Sequence, residues 1–279
     1  MNKVEIYYFS GAGNSLHVAM ELQKRIPETE LIPIVSLLNK DVEEANAEAV
    51  GFVFPVHGLT VPIPVKRFIE KLELKSAKYI FAAATRGGTR CFAFAKINKI
   101  LKRKGKALTS YFSLNMPNSD PKLKGYEVPT KDQIAVNELK IQDQLDMIGN
   151  IILNREISKE KDTDFIPAGF LLERLVLLGM KYAEYDGATD YFYADSKCTG
   201  CGTCERVCLS GKVKMVDKKP VWQNCVKCHL CYACINYCPR QAAQINDKWY
   251  MKSYTDKNGR YTHPYATADD IAGQKGLQA

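Results

Sequence analysis

Eight cysteines fall into two runs of one spacing. The first is Cys198-x2-Cys201-x2-Cys204-x3-Cys208; the second is Cys228-x2-Cys231-x2-Cys234-x3-Cys238, followed by Pro239. Every cysteine of the first run has a counterpart 30 positions later, which marks an internal duplication. A cubane cluster needs four thiolates converging on four irons, and two-residue spacings let one looping segment present three of them. Zinc also takes C-x2-C pairs, but its tetrahedral sites usually join two such knuckles across a longer gap. The pattern therefore points to iron–sulfur chemistry, the transfer of single electrons.

This segment closely resembles the bacterial two-cluster ferredoxins. The resemblance implies that each cluster takes its fourth thiolate from the other repeat. One [4Fe–4S] cluster would then use Cys198, Cys201, Cys204 and Cys238, and the other Cys228, Cys231, Cys234 and Cys208. Cys225 opens a second C-x2-C-x2-C frame three residues early, but the repeat aligns it with Asp195, which cannot fill the same role. That leaves Cys225 a spare thiol, with a [3Fe–4S] or otherwise altered site as the alternative. Leu209 stands where these ferredoxins usually carry proline.

A second group of residues could bind phosphate. Ser10-Gly11-Ala12-Gly13-Asn14-Ser15 follows a short apolar run and opens a stretch of helical periodicity. Small residues let backbone N–H groups crowd around an anion, and the helix N-terminus adds its positive end. The dinucleotide fingerprint is incomplete: Leu16 stands where G-x-G-x-x-G needs glycine, and no acidic residue ends the second strand. What remains resembles the phosphate loop of flavodoxins, which hold flavin mononucleotide (FMN), with Ala12 in place of the usual threonine.

These groups need a scaffold to position them. Apolar runs at residues 4–9, 31–35, 49–54, 79–84 and 107–114 read as strands, separated by helical patterns at 14–26, 62–72 and 89–103. That alternation predicts an α/β fold with a five-stranded parallel sheet covered on both faces, flavodoxin-like in its resemblance. In such sheets the ligand lies beyond the carboxyl ends of the strands. The loops expected there are Pro55-Val56-His57-Gly58 and Thr85-Arg86-Gly87-Gly88, together with Asn115, Met116, Pro117 and Asn118 after the last strand. His57 either replaces the aromatic residue that usually stacks on a flavin or is a solvent-facing loop histidine. Arg86 either favours a reduced, anionic flavin or is surface charge.

Taken together, the chain resembles the flavodoxin–ferredoxin fusion proteins of anaerobes along nearly all of its 279 residues. Tyr8-Phe9-Ser10-Gly11, Phe54-Pro55-Val56, the doubled cysteine motif and Gly259-Arg260-Tyr261 carry the likeness. It implies residues 1–125 as a flavodoxin-like FMN domain, 191–250 as a small α+β ferredoxin-like domain and 251–279 as a polar tail, which either packs as an extended arm or is partly mobile. Helical stretches at 131–154 and 165–185, within a connector or edge segment at 126–190, are expected to bury their Leu and Ile stripes. The implied activity is electron relay between two [4Fe–4S] clusters and FMN, served by a redox partner protein. The alternative is a flavin-dependent reductase of a small-molecule acceptor such as a quinone, a nitro compound or oxygen.

Composition narrows the remaining choices. Nine of ten cysteines lie between Cys198 and Cys238, and no secretion signal is seen, which argues for metal ligation in a reducing, cytoplasmic setting. No apolar run approaches the roughly 18–20 residues of a membrane span. The net charge of +8 invites nucleic acid, but residues 191–250 hold nine Lys/Arg against four Asp/Glu. Two clusters at roughly −2 each would offset most of that excess. Four histidines, none paired at ligand spacing, predict no further metal site. No partner copy of the chain is specified, although a dimer fits.

Overall fold

The structure, a computed structural model, describes residues 3–40, 43–160, 163–248 and 251–276. The predicted last residues of the cysteine module, Trp249 and Tyr250, lie outside them. Five strands form one parallel sheet: β1 (Val4–Tyr8), β2 (Thr29–Pro33), β3 (Ala49–Pro55), β4 (Tyr79–Arg86) and β5 (Ser110–Asn115), in the order β2-β1-β3-β4-β5. That is the flavodoxin-like order, with its switch point between β1 and β3. β4 is buried at every residue and β3 at all but its last, as strands covered on both faces must be.

Alternate side chains of the strands feed two cores. On one face Ile6, Phe81 and Phe112 pack against Val18 and Leu22 of α1 (Asn14–Arg25). On the other, Tyr7, Phe52 and Phe54 meet Phe68 of α3 (Ile63–Lys71) and Ile97 of α4 (Ala93–Lys102); a short α2 (Ile34–Leu37) lies on the same side. α3 begins where Pro62 and Pro64 fix the backbone before any intrahelical N–H is needed.

α5 (Lys131–Leu153) starts at a capping box, with Thr130 and Gln133 satisfying each other's backbone N–H groups. Its Ile141, Leu145, Ile148 and Ile152 complete the α1-side core, the burial expected of this apolar stripe. The chain then returns along the outer edge of β5, where Tyr111 N donates to Ser158 O. α6 (Phe170–Asp186) departs from expectation: Leu171, Leu175 and Leu178 are 72, 56 and 63 % exposed. Its Leu stripe is surface, not core.

The cysteine module is built on two small antiparallel pairs. β6 (Phe192–Ala194) joins β9 (Ala243–Ile245), and β7 (Val213–Val216) joins β8 (Lys219–Trp222). Short helices α7 (Thr203–Arg206) and α8 (Ala233–Asn236) occupy equivalent places in the two repeats. Val207, Leu209 and Ala233 enter the α3-side core, which seats the module on the sheet domain. Leu209, in the usual proline position, is spent on that contact. The segment after Met251 is also packed: Tyr261, His263 and Ala266 are buried, and it ends in α9 (Ala268–Gly273). Of the two outcomes expected for the polar tail, the structure shows the packed arm.

Candidate cofactor sites

The module brings the cysteines together in two groups of four. Cys198, Cys201, Cys204 and Cys238 border one cavity of about 350 Å³, partly open to solvent. In the second group, Cys208 lies near enough to Cys228, Cys231 and Cys234 to act on all three thiols. Burial, reinforced by neighbouring thiols, raises Cys204 to about 11 and Cys231 to about 12 and also raises Cys228 and Cys234. Thiols so placed ionise only when a multivalent cation compensates them. All ten cysteines are free of disulfides. The donor sets fit iron–sulfur clusters in chemistry and number.

Local backbone geometry explains the convergence. Gly200 and Gly202 adopt left-handed conformations, and a Cβ on Gly200 would overlap the carbonyl of Lys218. Backbone N–H groups point at the sulfurs: Val213 to Cys208 at 3.4 Å, Leu230 to Cys228 at 3.3 Å and Ala242 to Cys238 at 3.2 Å. Donors of this kind tune cluster potentials. Cys225 is exposed and does not border the first cavity, while Cys91 lies buried in the α3-side core.

The glycine loop sits between β1 and α1 as predicted. Ser10, Gly11, Ala12, Asn14 and Ser15 line a cavity of about 250 Å³ with Pro55, His57, Ser119 and Cys231. Asn14 and Ser15 open α1, whose first-turn N–H groups have no intrahelical acceptor. Gly13 has φ +100°, and its N–H donates to Ser10 Oγ at 3.1 Å. A Cβ on Gly11 would overlap the carbonyl oxygen of Cys231. The second group of cysteines thus stands directly on the loop.

His57 corrects the solvent-facing reading. It is half-buried, edge-on to Phe9 at 6.0 Å, and its Nδ1 is shut off from solvent without a hydrogen-bond partner among the described residues. Burial, with Lys122 nearby, lowers its pKa to about 4, so the ring is neutral at pH 7. An orphaned nitrogen on the wall, loop N–H groups and hydroxyls fit the phosphate end of FMN. Little of that space is enclosed, so the cavity suits the phosphate end and not the whole ligand. The ring system would need the covering segments to give way.

The other predicted loop residues brace the scaffold. Arg86 is buried, contrary to the surface-charge reading, and it does not border the cavity. Its Nε donates to Asn115 Oδ1 at 2.8 Å, its Nη1 to Thr89 O at 3.1 Å and its Nη2 to Asp164 O. Asn115 is consumed by that network, and Met116 lies in the α1-side core. Pro117 O accepts from Asn14 Nδ2 at 2.9 Å, and Thr85 Oγ1 shares a hydrogen with Ser15 Oγ at 2.7 Å. Val56 N donates to Thr85 O; Gly58 packs on Met180, Gly87 on Asn118, and Gly88 O accepts from Ile166 N. These residues fix the loop ends because their polar groups are already paired within the chain.

The arm supplies what sequence reasoning missed. Gln274 clasps Ser10 twice, accepting from its N–H at 2.9 Å and donating to its carbonyl at 2.8 Å. Tyr261 Oη donates to Asn14 Oδ1 at 3.1 Å, and His263 N donates to Ala12 O at 2.8 Å. A Cβ on Gly13 would meet Ala266 Cβ at 2.5 Å and His263 Cβ at 2.8 Å. The arm therefore packs along the loop at Ser10, Ala12, Gly13 and Asn14, while Cys231 packs on Gly11. The arm also brings His263 beside His17, so histidines without sequence proximity do pair, contrary to expectation.

No protein-family model and no curated protein matches the chain. Among solved structures it is similar to the rubredoxin:oxygen oxidoreductase of the anaerobe Desulfovibrio gigas, at 17 % identity and a TM-score of 0.33. The match covers 55 % of this chain and 35 % of that one, so the chain spans about a third of that protein's length. A likeness of this extent assigns neither cofactor nor substrate. The fold class itself is read from the strand order: a flavodoxin-like α/β protein carrying a cysteine-rich second module. Among the described residues, no helix is long and apolar enough to cross a membrane.

Proposed function

We propose that this chain is an electron carrier of the flavodoxin–ferredoxin type, relaying electrons between two [4Fe–4S] clusters and an FMN. Cys198, Cys201, Cys204 and Cys238 hold one cluster, and Cys228, Cys231, Cys234 and Cys208 the other. Residues 10–15 hold the phosphate of FMN. When bound, FMN supplies storage of one or two electrons against the single-electron steps of the clusters. The observation that carries the reading is that Cys231, one of the second thiol group, packs on Gly11 and itself lines the loop cavity.

The module also has a direction. Cys201 is exposed, whereas Cys234 is buried and Cys231 lies against the loop. The first cluster faces a redox partner protein, and the second faces the flavin. Neutral His57 lines the cavity without adding charge, and Arg86 keeps the neighbouring loop in place. The chemistry belongs in a reducing cytoplasm, with no role for nucleic acid. Reduction of a small-molecule acceptor requires an open approach to the flavin. Cys231 at the wall of the loop cavity puts the second thiol group beside the flavin site, which favours the relay.

An anaerobic cofactor inventory tests the proposal. About eight irons and eight sulfides per chain with one FMN are expected. Eight irons without flavin, even after FMN is added, would retain the ferredoxin half and remove the relay. A tightly held zinc in place of iron would overturn both.

A further inference from the structure

We propose that His17, Glu138 and His263 form a site for one divalent transition-metal ion of the zinc type, separate from the cysteine groups. His17 Nε2 lies 2.8 Å from Glu138 Oε1, and His263 Nε2 lies 4.0 Å from Oε2. One donor atom from each of the three residues falls within 4.8 Å of the other two. The two imidazoles stack with centroids 4.2 Å apart at 24°, so both rings present an edge to the same carboxylate. Zinc binds such donors at roughly 2.0–2.2 Å, which puts two ligands of one ion about 3–4 Å apart. The observed separations span that range.

Three distant parts of the fold meet here: α1 gives His17, α5 gives Glu138, and the arm gives His263. Both histidines are buried, at 5 and 2 % exposure. Among the described residues, the ion-pair partners of Glu138 are these two histidines alone. A carboxylate so placed lacks a full cationic partner, which a divalent ion supplies. The carboxylate is also oriented from behind. Gln142 Nε2 donates to Glu138 Oε1 at 2.5 Å, and Arg25 Nη2 holds Gln142 Oε1 at 2.6 Å. Partners that orient a ligand in this way are a regular part of metal sites.

Two imidazoles and one carboxylate leave at least one coordination position for water, as in His2Glu zinc sites. Tyr265, 66 % exposed, packs beside both rings at 5.4 and 5.5 Å, so the site lies just beneath the surface. Because His263 N also donates to Ala12 O, an ion here would fasten the arm over the glycine loop.

The test uses the full chain, purified anaerobically with its iron in place, in a Cys225→Ser background that removes the exposed spare thiol. After EDTA treatment, Zn²⁺ is titrated and the metal retained through gel filtration is counted. One zinc per chain is expected beyond the iron. Glu138→Gln and His263→Gln should each weaken zinc binding by more than about 100-fold with iron content and circular dichroism unchanged. Gln142→Leu, which removes only the orienting contact, should weaken it by roughly 10–100-fold. Zinc protection of the 261–274 segment against protease should vanish with the two ligand variants. Failure of the parent to retain zinc, or equal retention in the folded ligand variants, would overturn the proposal.

Discussion

Gly11 and Cys231 meet backbone to backbone, with room between Gly11 Cα and the Cys231 carbonyl for a hydrogen and none for a carbon. The first residues of the chain's sheet domain and the second cysteine run, 220 positions apart, therefore form one surface. Gly11→Ala should force that surface apart at a cost of about 1–3 kcal/mol, the usual range for overpacking. Gly179→Ala, inside α6 with open space around it, should instead be neutral or stabilising by about 0.5–1 kcal/mol. Denaturant unfolding of the two variants checks the contrast. Equal stability of Gly11→Ala and the parent would show that the module does not rest on the loop.

Cys201→Ser and Cys231→Ser each remove a thiol from a different group and should each lose about half of the iron. Cys225→Ser should lose none. Iron per chain after anaerobic reconstitution is the readout, and a comparable loss in all three would refute the division of the cysteines.

Arg86→Ala leaves three oxygens, on Asn115, Thr89 and residue 164, without their donor. A loss of roughly 2–4 kcal/mol of stability is expected, since hydrogen bonds to charged groups count for more than neutral ones. Iron content and the potential of bound FMN should stay put. A shifted potential at unchanged stability would return Arg86 to the flavin.

His57 and His229 flank Phe9 at 6.0 and 6.2 Å, and each has a pKa lowered from 6.5 to about 4. Burial is the main cause, with Lys122 and Arg67 adding to it respectively. Between those two values the unfolded chain binds protons that the folded chain refuses. Their contribution to stability is complete above pH 6.5 and is lost as pH falls toward 4, at up to about 1.4 kcal/mol per pH unit each. The unfolding temperature should drop across this window, and His57→Gln should flatten the drop. An equally steep drop in that variant would mean that the ring is not held neutral.

The parts that sequence reasoning reached are those with a period. Five apolar runs located the strands within a few residues, and the 30-residue repeat aligned the two cysteine runs, while the exchange of Cys208 and Cys238 between them came from the resemblance to two-cluster ferredoxins. Where period is shared by opposite outcomes, the reading failed: Leu171, Leu175 and Leu178 have the spacing of a buried face and lie in solvent. The stripe of α5, with Ile141 and Leu145, is buried as its spacing suggests, but nothing local says which core it completes. Arg86 and the arm were illegible for another reason. Their partners, Asp164 for one and Ser10 and Ala12 for the other, are far away in the chain, and Tyr261, His263 and Gln274 follow no repeat.

The clasp between Gln274 and Ser10 spans 264 residues, which gives it a meaning in time as well as in space. A ribosome adding about 5–20 residues per second completes the loop almost at once and its cover only on the order of 10–50 s later. During that interval the newborn glycine loop faces solvent with its donors free of the arm. The arm, made that much later, closes over a loop whose backbone is already in place.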